Sequence, residues 1–163
     1  MSSYEGLRFS QLEENDIHDM TRIMKRSFDE DTRIHLNKEE GGPPGYDNGD
    51  FLRKWALHED STAFKVELDS KLIGMYIVWI FPNNENMLGT IFIDSEYQNQ
   101  GIGLKIWKHI EQKYPNAKVW RTETPGFSKR NHNFYVNKCG FSIVKILNPG
   151  DMLDESYVLE KRY

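Results

Sequence analysis

A short polar segment with two glycines stands between an apolar stretch and an amphipathic helix, and its residue types suit phosphate binding. The segment runs from Gln98 to Leu104, and four residues separate it from the apolar residues 87–93. A helix begins with backbone N–H groups that lack an intrahelical acceptor and carry the positive end of the helix dipole. Because Gly101 and Gly103 have no Cβ, a pyrophosphate can approach this backbone closely. The side-chain amide of Gln98 is expected to add a donor at the mouth of the segment. We therefore predict a phosphate cradle, made of Gln98, Asn99, Gln100, Gly101, Ile102, Gly103 and Leu104.

The residues after the cradle have the spacing of an amphipathic helix. Apolar side chains recur about once per helical turn, at Ile102, Ile106, Ile110 and Tyr114. Pro115 ends the pattern, because proline cannot continue a helix. A tight turn that binds nothing would show the same two glycines, so this alternative stays open. Two other glycine motifs are excluded, because no third glycine follows at Lys105 or Ile106 and no Gly-Lys-Ser/Thr sequence is present.

The spacing Gln98-x-x-Gly101-x-Gly103 resembles the acyl-CoA signature of the GNAT superfamily of N-acetyltransferases, which reads Gln/Arg-x-x-Gly-x-Gly/Ala. In that superfamily, as here, a hydrophobic strand precedes the signature and a helix follows it. The resemblance implies that the cosubstrate is acetyl-CoA and that no metal takes part. It covers residues 62–160 and leaves the first sixty residues almost without a match.

A second motif, about thirty residues later, is similar to the same superfamily. Here Phe134-Tyr135 is followed by Lys138-Cys-Gly140-Phe141, where members carry Phe/Leu-Tyr and then Lys-x-Gly-Phe. The sequence departs from the pattern at Ser128, because many members have an asparagine seven residues before the tyrosine. Ser128 can still cap the helix that begins there.

The resemblance also implies roles for individual residues. The Tyr135 hydroxyl would protonate the departing CoA thiolate, and a buried core tyrosine is the alternative. Backbone N–H groups around Phe92 and Ile93 would hold the pantetheine arm and polarise the thioester carbonyl. Asn131, one turn before Tyr135, would reach the same arm.

The general base is less determined by the sequence. An amine nucleophile must lose a proton, and Glu123, on the strand after the cradle helix, is the predicted acceptor of that proton. Asp94, at the end of the strand that precedes the cradle, stays open as an alternative base. Glu85, Tyr76 and a chain of water molecules are further alternatives. The five histidines show no metal-ligand spacing, and with one cysteine a zinc site is not expected.

Length and composition limit the class of protein. A chain of 163 residues, 38% hydrophobic and 13% aromatic, can bury one substantial core, so residues 1–163 are predicted to form a single domain. The net charge of −4 argues against nucleic acid or an anionic membrane as partner. No run approaches the roughly 18 apolar residues of a membrane span, and residues 1–6 lack the features of a signal peptide. Together with the single Cys139, this predicts a cytoplasmic protein.

The elements that position these residues follow a recognisable order. A strand near Leu7 and a helix capped by Asp16 come first, followed by the hairpin 61–81, whose second strand is apolar enough to be covered on both faces. The cradle strand and helix, the strand 118–124, a helix 128–139 and a closing hairpin complete the chain. We predict an α+β fold with a mixed, largely antiparallel sheet of about six to seven strands and helices on both faces. By resemblance, the two strands that flank the cradle helix are parallel and splay apart at the centre of the sheet.

The acceptor side is the least determined part. Residues 29–50 hold seven acidic and two basic residues among glycines and prolines, and we predict a loop there that borders the acceptor site and favours cationic amines. The alternative, that these charges only solvate a flexible loop, stays open. Tyr46 would add a cation–π contact. The predicted function is transfer of acetyl from acetyl-CoA to a primary amine, either a small molecule or a peptide N-terminus or lysine. The alternative is an acyl-CoA-binding module without turnover. The sequence leaves the oligomeric state open and is compatible with a homodimer.

Overall fold

The computed structural model describes residues 6–163, in which one seven-stranded sheet carries helices on both faces. Residues 1–5 lie outside the described residues. The prediction that residues 1–6 lack the features of a signal peptide falls largely on this segment. The strands are β1 Leu7–Gln11, β2 Thr62–Leu68, β3 Lys71–Trp79, β4 Glu85–Ile93, β5 Val119–Pro125, β6 Ser142–Leu147 and β7 Ser156–Arg162. The helices are α1 Ile17–Leu36, α2 Ile102–Lys113 and α3 Lys129–His132, which continues as the π-helical segment Asn133–Cys139. A short π-helical turn spans Leu52–Ala56.

The strand order is β1-β2-β3-β4-β5-β7-β6, and β4–β5 is the one parallel pair in it. This confirms the predicted fold class, a largely antiparallel mixed sheet with a parallel pair at its centre. The hairpin between β2 and β3 turns through Asp69 and Ser70, both with positive φ, as a two-residue turn requires. The last strand, β7, lies between β5 and β6 although it follows β6 in the chain.

Two apolar cores lie on opposite faces of the sheet. On one face, Tyr76 and Val78 of β3 pack with Ile106 and Trp107 of α2. On the other face, Met75 and Ile77 of the same strand belong to a core formed with α1. Alternate residues of β3 therefore face different helices, which explains why this strand is almost continuously apolar.

The first helix is longer than the sequence suggests. We predicted a loop from residue 29, but α1 continues to Leu36, and only the following residues are irregular up to the short helix near Asp50. Bases one turn away neutralise the acidic side chains in this part of α1: Lys25 Nζ lies 2.6 Å from Asp29, and Arg33 pairs with Glu30. Within residues 6–163, no helix is long and apolar enough to cross a membrane.

Candidate active site

The centre of the sheet opens where β4 and β5 part. The two strands pair only between residues 85–87 and 119–121, and beyond this point their backbones diverge. The register of β4 against β3 shifts at Gly89, which is a bulged residue next to the point of divergence. The Thr122 hydroxyl donates to the Leu88 carbonyl at 2.9 Å and closes the root of the gap. This confirms the predicted splay of the two strands that flank the cradle helix.

One pocket runs from the predicted cradle to the end of β4, where β4 no longer pairs with β5. Its walls come from α1, from the end of β4, from the start of α2 and from the helical segment 129–139. Among the predicted cofactor-binding residues, those that line it are Phe92, Ile93, Asn131, Gln98, Asn99, Gly101, Ile102, Gly103 and Leu104. Gln100 does not line the pocket, and its side-chain amide donates to the Glu96 carbonyl.

The cradle backbone is shaped by residues with positive φ. Gly101, the residue before α2, has φ +78°, and Asn99 has φ +63°. A Cβ added to Gly101 would meet nothing within 4 Å, so the space in front of it is open. The N–H groups of the next three residues begin the helix and have no intrahelical acceptor. This arrangement offers donors to an anion at a place where the backbone can be approached closely.

A glycine is needed at position 103 for a different reason from the one we predicted. A Cβ placed on it would lie 3.0 Å from Cε1 of the Phe134 ring. The space that this glycine leaves is therefore occupied by Phe134, and not left free for a phosphate. The sequence pattern could not distinguish these two reasons, because Phe134 is thirty-one positions away along the chain.

The side chain of Gln98 is already engaged within the protein. Its amide nitrogen donates to the Ile93 carbonyl at 2.9 Å and to the Ser27 hydroxyl at 3.3 Å, while Oε1 accepts from Arg130 Nη1 at 2.8 Å. We expected this amide to be a donor at the mouth of the cradle. Gln98 instead fastens the turn after β4 to α1 and to α3, so that its side chain holds the cradle in shape.

Two basic residues at the pocket were missed by sequence reasoning. Arg130 and Lys138 both line it, and they bring positive charge to the space in front of the cradle. Asp31 Oδ1 forms an ion pair with Arg130 Nη2 at 3.4 Å and accepts a hydrogen bond from the buried Ser128 hydroxyl at 3.0 Å. The basic residues at the start of the late helix were the available signal, but sequence alone did not place that helix beside the cradle.

Tyr135 lies in the core at the root of the gap. Its ring packs on Phe134 and Phe141, at 5.2 and 5.6 Å between centroids, and its hydroxyl faces Thr122. Burial raises the pKa of this phenol well above its ordinary value, so the hydroxyl keeps its proton at neutral pH. Tyr135 is not part of the pocket wall itself. Asn131, which is, donates to the Thr124 hydroxyl at 3.1 Å on the neighbouring strand.

The candidate bases differ sharply in their surroundings. Burial alone would raise the pKa of Asp94, but two hydrogen bonds from Arg26, at 3.0 and 2.7 Å, outweigh it and hold that pKa below its usual value. Burial raises the pKa of the Tyr76 phenol, and Glu85 pairs with Arg121 at 2.9 Å. Glu123 is exposed, accepts from the Ser156 hydroxyl at 3.3 Å and forms no ion pair among residues 6–163. It is outside the pocket wall, on the face of β5 opposite to Thr122.

Known proteins resemble this chain in sequence and in fold. The uncharacterized protein YrkN of Bacillus subtilis (strain 168) is 46% identical over 89 residues, which is 54% of this chain and 48% of that protein. The chain therefore aligns with about half the length of this curated relative. The crystal structure of PaiA N-acetyltransferase from Thermoplasma acidophilum in complex with coenzyme A has a TM-score of 0.76 at 16% identity, over 96% of this chain and 99% of that one.

A third protein has a similar fold and also carries CoA. It is the spermidine N-acetyltransferase from Vibrio cholerae in complex with CoA and spermine, with a TM-score of 0.69 at 15% identity, over 96% of this chain and 95% of that one. The sequence profile of the Acetyltransferase (GNAT) family matches residues 17–141, which include the cradle, the splayed strands and the Phe134-Tyr135 helix. The chain belongs to the acetyltransferase (GNAT) family.

Proposed function

We propose that this protein is an acetyl-CoA-dependent N-acetyltransferase that acts on a primary amine. The observation that carries the proposal is the pocket that joins the start of α2 to the end of β4, which has no strand partner on the side of β5. A phosphate site alone would fit many nucleotides. A phosphate site continuous with an open strand edge fits a ligand whose pyrophosphate is followed by a long amide-bearing arm.

The residues at this pocket fit coenzyme A at both of its ends. The first N–H groups of α2, together with Arg130 and Lys138, would hold the pyrophosphate. The backbone of Phe92 and Ile93 has no strand partner on the side of β5 and can pair with the amides of the pantetheine arm. Acetyl-CoA, when bound, supplies an acetyl group activated as a thioester.

The proposed reaction is a direct transfer in a ternary complex. The amine nitrogen forms a bond with the acetyl carbon while the C–S bond breaks, so the nitrogen loses one proton and the sulfur gains one. Tyr135 donates a hydrogen bond and a proton toward the sulfur from the root of the gap. Its raised pKa keeps this donor neutral until it is needed. Glu123, directly or through water, receives the proton of the amine.

Two observations support the choice of an amine as acceptor. One is the similarity of the fold to that of an amine acetyltransferase, and the other is the position of Tyr135 and Glu123 on opposite faces of the sheet. The spermidine N-acetyltransferase of Vibrio cholerae, a similar fold, acts on an amine. In this chain the proton donor Tyr135 and the carboxylate Glu123 lie on opposite faces of β5. An amine that enters from the Glu123 face would meet the thioester from the side away from Tyr135, so each proton would have its own route.

The test is to mix the protein with acetyl-CoA and a panel of primary amines and to follow free thiol and the mass of the product. Thermal stabilisation by CoA, compared with ATP and NAD, checks the pocket independently of turnover. We expect stabilisation by CoA alone and acetylated product with at least one amine. Stabilisation by CoA without thiol release from any amine would favour the alternative of a binding module. Stabilisation by ATP or NAD instead would overturn the assignment of the pocket.

A further inference from the structure

Two tryptophans form a partly exposed wall that the proposed chemistry does not use. The rings of Trp55, on the short π-helical turn, and Trp79, at the end of β3, lie 6.3 Å apart at an angle of 73°. His58 packs against Trp79 at 5.0 Å. We call Trp55 and Trp79 the aromatic wall. Trp55 remains 37% exposed, although Trp79 packs against its indole.

The aromatic wall stands beside the root of the gap, on the face opposite to Tyr135. Trp79 pairs with Met87 of β4, and Met87 pairs with Arg121 of β5. Paired residues of neighbouring strands point to the same face, so Glu123, two residues beyond Arg121, shares this face. A Cβ added to Gly89 would lie 3.2 Å from Trp79 Nε1. The indole therefore sits directly over the bulged residue at which β4 leaves β5.

The surface around the wall is apolar. Three exposed side chains adjoin it at the end of β3 and the start of β4, namely Ile80, Phe81 and Met87, each between 37% and 43% exposed. Exposed apolar residues that cluster beside a cleft usually mark a binding surface. On the same face of the sheet, the exposed carboxylate of Glu123 could attract an ammonium group.

We infer that this face is the acceptor site and that it takes a primary amine carried on an aromatic or bulky apolar group. The inference rests on the proposed function and deepens it by naming the class of acceptor. The amine would reach the gap beside Gly89, and its substituent would lie against Trp79 and Trp55. Aromatic and apolar groups gain most from such a contact, because two indole rings offer a large surface at fixed geometry.

The charges at the wall disfavour a polycation. Lys54 Nζ lies 4.7 Å from the centre of the Trp55 ring, so the chain's own ammonium already occupies the cation–π position there. Part of the acidic segment that we expected to attract cations is engaged within the protein. Asp29 accepts from Lys25 and from Tyr46, and Glu40 lies 3.7 Å from Lys25. Tyr46 is only 8% exposed and cannot offer its ring to an acceptor.

The experiment compares kcat/KM for 2-phenylethylamine, ethylamine and spermidine in the wild type and in three variants. We expect 2-phenylethylamine to be the best of the three acceptors. Trp79→Ala should lower its kcat/KM by about ten-fold or more and change that of ethylamine by less than about three-fold, since only the contact with the ring is lost. Trp79→Phe should retain most of the preference. Val144→Ala, which trims an exposed apolar side chain on the edge strand β6, separated from β3 by three strands, should change nothing.

Each outcome has a separate meaning. A loss that is equal for both monoamines, or a preference for spermidine, would overturn the aromatic acceptor site. Absence of product with all amines, in a protein that CoA still stabilises, would instead overturn the proposed function. If Trp79→Ala fails to fold, Trp55→Ala takes its place, because this side chain is more exposed and its loss leaves the core intact. An unchanged ratio of 2-phenylethylamine to ethylamine in that variant would count against the inference.

Discussion

Burial decides what the Tyr135 hydroxyl can do. The ring is held by Phe134 and Phe141, and the hydroxyl meets Thr122 at the point where β4 and β5 separate. A phenol whose pKa is raised by burial is a weak acid, but it is a dependable hydrogen-bond donor at every physiological pH. Its value to the reaction would lie in stabilising the negative charge that develops on sulfur.

Replacing Tyr135 by phenylalanine should lower kcat by roughly one to three powers of ten, because one donor is removed while the ring remains. The affinity for CoA should stay nearly the same. Since the pKa of Tyr135 is raised, the ratio of wild-type to variant kcat should be constant between about pH 7 and pH 9. Steady-state kinetics at several pH values, with CoA affinity from titration calorimetry, check this. Wild-type turnover in the variant would make Tyr135 a core residue only.

Arg130 is predicted to contribute to phosphate binding. Arg130→Met should weaken CoA binding by about ten-fold, because a charge held toward the pocket by Gln98 and Asp31 is lost. Arg33→Met is the matched control, since it removes the same charge from an exposed position on α1. Dephospho-CoA and CoA, titrated into both variants, report whether the 3′-phosphate or the pyrophosphate is the group that Arg130 serves. Equal affinities of the two variants for CoA would contradict the assignment.

At the scale of single elements, the two glycines at the start of α2 are needed for two different physical reasons. Gly101 adopts a left-handed backbone beside open space, whereas Gly103 makes room for Phe134. The sequence was sufficient to predict the helix, its beginning and its end, because apolar periodicity and Pro115 are local signals. It did not reveal the contact with Phe134, which depends on how α2 packs against the helical segment 129–139.

Gly101→Ala and Gly150→Ala form a matched pair that separates backbone strain from ligand binding. Both glycines have positive φ, +78° and +85°, and in both cases an added Cβ meets nothing within 4 Å. Each substitution should therefore lower the free energy of unfolding by a similar amount, about 1 kcal/mol. Only Gly101→Ala should also weaken CoA binding, because its methyl group would project into the space before the cradle. Chemical denaturation and CoA titration measure the two effects, and normal CoA affinity of Gly101→Ala would argue against phosphate binding there.

Helix α1 illustrates what the sequence concealed. Asp29, Glu30 and Asp31 read as the start of an acidic loop, yet the structure places them on the last turns of a helix. Two of them pair with bases three or four residues away, and Asp31 faces Ser128 and Arg130 from a distant part of the chain. Local patterns predict where apolar faces lie, but they carry no information about a carboxylate whose partners are about a hundred positions away.

At the scale of the whole molecule, ion pairs fasten α1 across the sheet. Arg26 holds the buried Asp94 at the end of β4, and Asp16 pairs with Lys65 of β2 at 2.9 Å. The strand order also belongs to this scale. The sequence indicated a closing hairpin, but it did not show that β7 would enter between β5 and β6. Whether β6 or β7 pairs with β5 depends on which of them forms the better contacts with it, and the hydrophobic pattern alone does not decide this.

The ion pair of Arg26 and Asp94 should make the free energy of unfolding depend on pH. Because the pKa of Asp94 is lower in the folded protein than in the unfolded chain, its contribution is fully present above about pH 4 and is lost as the pH falls through the folded value. Asp94→Asn should lower the free energy of unfolding at pH 7 by about 1–3 kcal/mol. The difference from wild type should shrink below pH 4. Asp19→Asn, at an exposed site on α1, is the control, and a difference that does not change with pH would refute this role.

The position of β7 has a consequence for the order in which the molecule can be completed during synthesis. β6 leaves the ribosome before its only neighbour in the sheet, and three of its apolar side chains, Ile143, Val144 and Ile146, are more than 40% exposed even in the finished fold. Until β7 has been made, β6 has nothing to pair with, and β5 lacks one of its two neighbours. A nascent chain at this stage presents unpaired strand edges, which are prone to join other chains. Synthesis of β7 would therefore be the step that closes the sheet between β5 and β6.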